Sequence, residues 1–312
     1  MDKGMAKQQH WKLTALLLTP VILWSTVFPF SKLVLEVISP ATLAAVRFST
    51  GAIVLLLYAT RNFTWERTLE ALYRRWPTFL LLGSIGIFLN NFLQNIGLNL
   101  STAGSTSLLS TTDPIFSTIL AVIFLKDTVT IRKVGGLLLA FGGVYLVTTN
   151  GHWISDWGSS AGNILVITSS MSYSVYTILS KRILHEEEPP IVVAWSTTFG
   201  AILLAISAIC LDKAPVWSNL TGAHLLATAY LSIIPTSVSV LAYFYLLQRV
   251  QASEAAVTLF LIPVFSIVWA RLLLHEQVTT PMLIGGGLII SGVSLAMSTG
   301  RRRLAKLREE SG

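Results

Sequence analysis

Ten apolar stretches run through the chain, at roughly 13–30, 41–59, 78–98, 104–125, 134–149, 161–180, 191–211, 223–247, 255–274 and 282–299. Each approaches the ~20 residues that carry a helix across a hydrocarbon core of ~30 Å. Only 12% of residues are charged and 53% are hydrophobic, about half the charge of a soluble domain. A water-soluble fold of this length would run short of polar surface. The reading is therefore an all-α integral membrane protein with ten transmembrane helices. The first stretch lacks a small-residue cleavage site and continues through WSTVFPFSK into further apolar sequence, so it reads as a retained helix and not as a secretory signal.

Positive charge orients the spans. With the N-terminus inside, the inner segments hold all of the 22 basic residues except Lys32, Lys213 and Arg271 at outer ends and Arg47 within a span. Lys and Arg collect on the cytoplasmic side of spanning helices, which puts both termini in the cytoplasm and the chain in a cell's inner (cytoplasmic) membrane. The net charge of +7 then needs no nucleic acid, because anionic headgroups of membrane lipid suffice. One cysteine, Cys210, rules out an intramolecular disulfide or a cysteine metal cluster. The five histidines form no ligand pair, so neither metal nor cofactor is expected.

The sequence is written twice. A shift of 149 residues lays Ser25 and Lys32 on Ser174 and Lys181, Gly51 on Gly200, and Pro114 and Ser117 on Pro263 and Ser266. The same shift lays Gly136 and Gly143 on Gly285 and Gly292. One ungapped offset carries all of these, and matched prolines and glycines are harder to obtain by chance than matched leucines. Each copy holds five spans, an odd number, so the second copy enters the membrane from the opposite face. Inverted repeats of this kind give secondary transporters their two access states, with the solute site near the midplane between the halves. The expected organisation is a cytoplasmic segment 1–11, a first five-helix repeat 12–149, an extracytoplasmic connector 150–160, a second repeat 161–299 and a basic cytoplasmic tail 300–312. A duplication kept only for packing is the plainer alternative.

The segments ILWSTVFPFSKLVL, PATLAAVRFSTGAIVLLL and NIGLNLSTAGSTSLLSTTDPIFSTILAVIFLKDTVTIRKVGGLLLAFGGVYLV resemble the first half of an EamA-type member of the drug/metabolite transporter superfamily. AWSTTFGAILLA and ASEAAVTLFLIPVFSIVWARLLLHEQVTTPMLIGGGLIISGVSLAM resemble its second half. The resemblance implies two inverted five-helix repeats and a central cavity lined mainly by spans 1, 3, 4, 6, 8 and 9. It also implies export of a small metabolite, with amino acids and drug-like compounds among the superfamily's substrates. The residue before the span-4 proline is commonly apolar in the family, as Ile262 is in the second half. Asp113 departs from that pattern.

Asp113 stands about ten residues into its span, where a carboxylate costs about 3 kcal/mol. Such groups face protein or water and often serve function. Binding a substrate ammonium, exchanging a proton and pairing with Arg47 are all open, as is simple hydrogen bonding to Thr111, Thr112 or backbone loosened by Pro114. Arg47 reads as a structural, snorkelling or paired cation. In NNFLQNIGLN, Asn91 and Gln94 share one helix face and Asn90 and Gln94 an adjacent one, a polar stripe suited to a cavity or to interhelical bonds. Trp24, Phe28, Tyr173, Tyr176 and Tyr243 lie away from helix ends and supply an aromatic wall, although any one of them is more often core than ligand. The candidate substrate-binding set is thus Trp24, Phe28, Asn90, Asn91, Gln94, Asp113, Tyr173, Tyr176 and Tyr243. Pro29, Pro114, Pro235 and Pro263 are candidate hinges. The glycine clusters of spans 5 and 10 suit close helix packing, either as scaffold or as the face of a weak homodimer; a monomer is the alternative.

Under the offset Gln94 meets Tyr243 and Asp113 meets Ile262, so the halves bring unlike chemistry to like places. That asymmetry suggests an amphipathic small-molecule substrate, with an apolar amino acid as the leading expectation, and leaves proton coupling open. A channel or facilitator and a multidrug efflux carrier are the alternatives within transport. A membrane enzyme would need a nucleophile with its base or a metal cluster, and no GxSxG, HExxH or intramembrane histidine pair occurs.

Overall fold

Backbone in lipid must satisfy its hydrogen bonds internally, which leaves helices as the form for apolar runs of this length. The computed structural model describes residues 3–100, 108–153, 160–211, 220–273 and 277–310, and among them there is no strand. The first half contains α1 (Lys3–Ser25), α2 (Val27–Leu35), α3 (Pro40–Asn62), α4 (Trp65–Leu82), α5 (Asn90–Leu100), α6 (Asp113–Leu125) and α7 (Ile131–Thr149). The second contains α8 (Ser160–Ile183), α9 (Pro189–Leu211), α10 (Gly222–Ile233), α11 (Ser239–Arg249), α12 (Ala252–Thr258), α13 (Ile262–Leu273) and α14 (Thr280–Glu310).

Among the described residues, eight helical stretches are long and apolar enough to cross a bilayer: Pro40–Asn62, Trp65–Gly97, Leu108–Leu125, Ile131–Thr149, Pro189–Leu211, Gly222–Arg249, Ala252–Trp269 and Thr280–Ser298. The expected first and sixth spans fall outside that set for different reasons. Among the described residues the apolar part of α1 is Thr14–Ser25, and the helix breaks at Thr26 before α2 resumes. α8 has 24 residues, but Ser169, Ser170, Ser172, Ser174, Thr177 and Ser180 all lie in it and are buried. Its length suffices, and the hydroxyls lower its apolarity.

Helix pairing maps onto itself under the 149-residue shift. α7 packs along α14 and α3 along α9. The contact of α5 with α8 has its mate in α11 with α1, and that of α6 with α8 has its mate in α13 with α1. Glycines set the closest approaches. A Cβ on Gly136 would stand 2.5 Å from the Gly292 carbonyl oxygen, and one on Gly143 would stand 2.6 Å from that of Gly285. Gly142, Gly286 and Gly287 have nothing within 4 Å. The glycine faces of the two helices therefore meet each other within the chain, as small residues do where backbones approach in lipid.

Each candidate hinge proline lies at or just after an irregularity. Thr26 interrupts the first helix three residues before Pro29. Ahead of Pro114, Thr111 and Thr112 turn on bonds to the carbonyls of Leu108 and Leu109. Pro235 sits in a π-helical turn, Ile234–Val238, and a 3₁₀ turn, Leu259–Leu261, precedes Pro263. The missing proline N–H and its ring clash loosen the preceding turn. A second π turn, Gly83–Leu89, spans the mate of the Ile234–Val238 turn yet has no proline of its own, and the sequence reading did not anticipate it. The side chains of Phe28 and Pro29 lie outside the described residues.

At one end of the bundle, α4 opens as a short amphipathic segment that kinks at Arg75 (φ −133°, ψ 18°). Glu187, in the turn between α8 and α9, is wholly buried and takes Arg67, Arg74 and Arg75, while Arg75 also reaches Glu186. The Trp195 indole donates to the Thr68 carbonyl at 3.0 Å. These bonds tie the third span's entry to the loop joining α8 and α9.

Candidate functional site

Asp113 is the first residue of α6, directly after the loosened turn. Its carboxylate is 8% exposed and accepts from the hydroxyls of Ser174 on α8 (2.6 Å) and Ser117 one helical turn on (3.1 Å). Ser174 also lies 3.1 Å from the Asp113 carbonyl oxygen. A buried carboxylate needs such donors, and the loosened helix plus a hydroxyl-rich neighbour supply them. No ion pair to Asp113 occurs among the described residues. Arg47 in particular is engaged elsewhere: its Nε donates to Thr236 Oγ1 at 2.6 Å, in the π turn of the second half, and its guanidinium lies over the Phe48 ring. The expected alternative of an Asp113–Arg47 pair is thereby overturned, because a freed backbone turn on the other side of the bundle offers the arginine its partner.

The aromatic residues come together with Asp113. Tyr173 and Tyr243 both lie within electrostatic reach of its charge. Rings link Trp24 to Tyr243 (5.4 Å), Tyr173 to Tyr176 (5.8 Å) and Tyr176 to Phe244 (5.6 Å). The Trp24 indole donates to the Pro235 carbonyl at 2.9 Å, so the π turn orients this wall. On the opposite side Gly86, in the other π turn, lets the Tyr176 ring lie on the backbone; a Cβ there would sit 2.1 Å from the ring. The hydroxyls of Tyr176 and Tyr243 are buried, with Ser196 and Thr177 as their polar neighbours.

The amide stripe divides. Gln94 donates to Ser110 Oγ at 3.2 Å, in the turn ahead of Asp113. Asn90 instead donates to the Ser169 carbonyl at 3.0 Å and Asn91 back to its own helix at Ile87, 2.7 Å. Asn90 is an interhelical tie and Asn91 satisfies a π-turn carbonyl, each through one donor of its amide. Sequence reasoning did not single out Ser110, Ser117, Ser174, Gly86 or Thr236 as parts of the site. Ser117 and Ser174 were visible as repeat-matched serines, a signal that could have pointed to them.

With Asp113 8%, Tyr176 1% and Tyr243 1% exposed, the site is closed on its own side chains. An open pocket of about 360 Å³ lies elsewhere, lined by Leu125, Asp127, Lys181, His185, Arg249, Val250 and Gln251. Among the described residues no group of histidine, cysteine and carboxylate side chains could hold a metal ion.

Comparison with known proteins agrees with this architecture. The chain is 29% identical over 295 residues to an uncharacterized transporter, YvbV, of Bacillus subtilis (strain 168), covering 94% of each chain. It is 28% identical to an uncharacterized transporter of Archaeoglobus fulgidus, covering 93% of this chain and 99% of that one. A WAT1-related chloroplastic protein of Arabidopsis thaliana is 27% identical, with 89% and 68% covered. A solved crystal structure at 20% identity superposes with a TM-score of 0.80 over 93% of this chain and 98% of that one, a likeness of fold. The model of the EamA-like transporter family matches twice, at residues 11–149 and 160–298. A helical bundle that pairs with itself under one sequence shift, matched by one transporter family in both halves, is a multi-pass membrane transporter, and the chain belongs to the EamA-like transporter family.

Proposed function

We propose that this transporter carries a small amphipathic solute, an amino acid with an apolar side chain being the leading candidate, across the cytoplasmic membrane by alternating access. In this reading ten spans form two inverted repeats joined by the 150–160 connector, both termini are cytoplasmic, and the direction is export. The observation that carries the reading is the composition of the Asp113 cluster. A carboxylate acceptor, the tyrosines Tyr173 and Tyr243 within reach of its charge and an aromatic wall meet where α6 of one half packs on α8 of the other. A carboxylate complements an ammonium, hydroxyl donors complement a carboxylate, and the rings of Trp24 and Phe244 complement an apolar side chain. The closed geometry then corresponds to an occluded form, and the loosened turns before Pro114 and Pro263 are where the fourth and ninth spans bend to admit the solute.

Purified protein in proteoliposomes, assayed against a panel of amino acids, tests this. Saturable flux with counterflow of apolar amino acids is expected. Flux without saturation or counterflow identifies a channel, and no flux of any amino acid removes the substrate assignment.

A further inference from the structure

A network of polar bonds, part-buried and centred on the buried Lys133–Ser253 contact, joins the two halves at the end assigned to the cytoplasm, separate from the Asp113 cluster. α6 ends at Lys126 in a left-handed conformation (φ 56°). Beyond this sharp turn, Asp127 Oδ2 accepts from both the backbone N–H (3.0 Å) and hydroxyl (2.7 Å) of Ser253 at the start of α12. Lys133 on α7 is 1% exposed. Its ammonium donates to Ser253 Oγ (2.8 Å), Gln251 Oε1 (3.2 Å) and the Thr128 carbonyl (3.0 Å), engaging all three protons. Lys181 at the end of α8 caps the last carbonyls of α11 through Leu247, Gln248 and Val250, which a helix C-terminus otherwise leaves open. Asp127 and Glu254 both lie within electrostatic reach of Lys133 and Lys181. Two positive and two negative groups thus balance, and the 360 Å³ pocket touches the network at Asp127, Lys181 and Gln251.

The inverted repeat supplies an internal control. Under the 149-residue shift, Asp127, Lys133, Lys181, Gln251, Ser253 and Glu254 correspond to Glu276, Met282, Lys32, Thr102, Gly104 and Ser105. The outer counterpart keeps one lysine and one carboxylate. The second cation has become a thioether, the bridging serine a glycine, and the second carboxylate a hydroxyl. In an inverted pair the two gates are related backbones, so unequal side chains set which gate is held shut. We infer that Asp127, Lys133 and Ser253 form a latch on the cytoplasmic gate whose side chains the sequence does not repeat at the outer end, so that without solute the protein rests with its cytoplasmic side closed. This rests on the alternating-access reading above. Its test needs no substrate, so a failed flux assay and a failed latch are distinguishable.

In a Cys210→Ser background, spin labels at Ile131→Cys and Arg249→Cys report the separation of the two halves at this end, with full-length protein in lipid nanodiscs. Lys133→Met and Ser253→Gly each install the residue found at the outer gate. Each is expected to raise the ratio of long to short distances by roughly tenfold, the scale of losing one charge-assisted bond. Lys126→Met removes a lysine from the same end without touching the network and is expected to leave the ratio unchanged. Unchanged distances in both latch variants overturn the inference, as does an equal shift with Lys126→Met, which would make net charge the cause. If Lys133→Met does not yield monodisperse protein, Ser253→Gly carries the test, because it leaves Lys133 bonded to Thr128 and Gln251.

Discussion

Replacing Gly136 by alanine tests the packing of α7 on α14 with a built-in reference one face away. The new Cβ would lie 2.5 Å from the Gly292 carbonyl oxygen and 2.7 Å from the Ala296 nitrogen. Both are fixed backbone atoms, and ordinary contact begins at 3.4 Å, so the helices must part by roughly 0.9 Å at that level. Overpacking of this kind costs about 1–3 kcal/mol. Alanine also gains up to about 1 kcal/mol over glycine in helix propensity, which blurs the single measurement. Gly142→Ala removes the ambiguity: it makes the same exchange in the same helix with nothing within 4 Å. The propensity gain cancels in the difference, leaving Gly136→Ala less stable than Gly142→Ala by about 1–3 kcal/mol. Thermal midpoints of the two variants in one detergent, read as the monodisperse fraction after heating, compare them directly. A midpoint for Gly136→Ala equal to or above that of Gly142→Ala would refute the packing.

Four further outcomes follow from the site. Asp113→Asn keeps the volume and an acceptor for Ser117 and Ser174 while removing the charge; it should fold normally and lose at least about tenfold in flux, and unchanged flux takes Asp113 out of the solute path. Ser174→Ala withdraws the 2.6 Å donor from a buried carboxylate and should destabilise the protein by about 1–3 kcal/mol, measured by the same thermal assay. Gly86→Ala places a carbon 2.1 Å from the Tyr176 ring; it should perturb near-ultraviolet circular dichroism and flux together, whereas Gly222→Ala, with open space, should change neither. Glu187→Ala leaves Arg67, Arg74 and Arg75 without their shared acceptor and should lower the midpoint more than Glu186→Ala does.

The sequence carried the repeat plainly, because prolines and glycines hold positions that apolar residues cannot. Pro114 and Pro263 mark matched loosened turns, and the paired glycines of α7 and α14 meet as their spacing suggests. The π turn at Gly83–Leu89 was hidden because no proline marks it; only its mate, with Pro235, announced the shared geometry. Asp113 was legible as an anomaly, but its partner was not. Ser174 lies 61 positions away, and an aspartate in a span can satisfy itself in several ways that sequence does not rank. The amides show the same limit. Asn90 and Asn91 share a stripe with Gln94, yet their donors go to carbonyls of Ser169 and Ile87, and only the relative placement of helices decides that. Arg47 found Thr236 for the same reason, through a backbone turn in the other half of the chain.

Alternating access to the Asp113 cluster is the claim on which the rest depends, and one cysteine can interrogate it. Tyr173 is half-buried within the cluster, and Cys210 is the chain's sole cysteine, so Tyr173→Cys with Cys210→Ser leaves a single thiol at the site. Applied separately to each face of oriented proteoliposomes, a membrane-impermeant thiol reagent should modify this cysteine from both sides. Modification from one face alone, or from neither, would contradict the account.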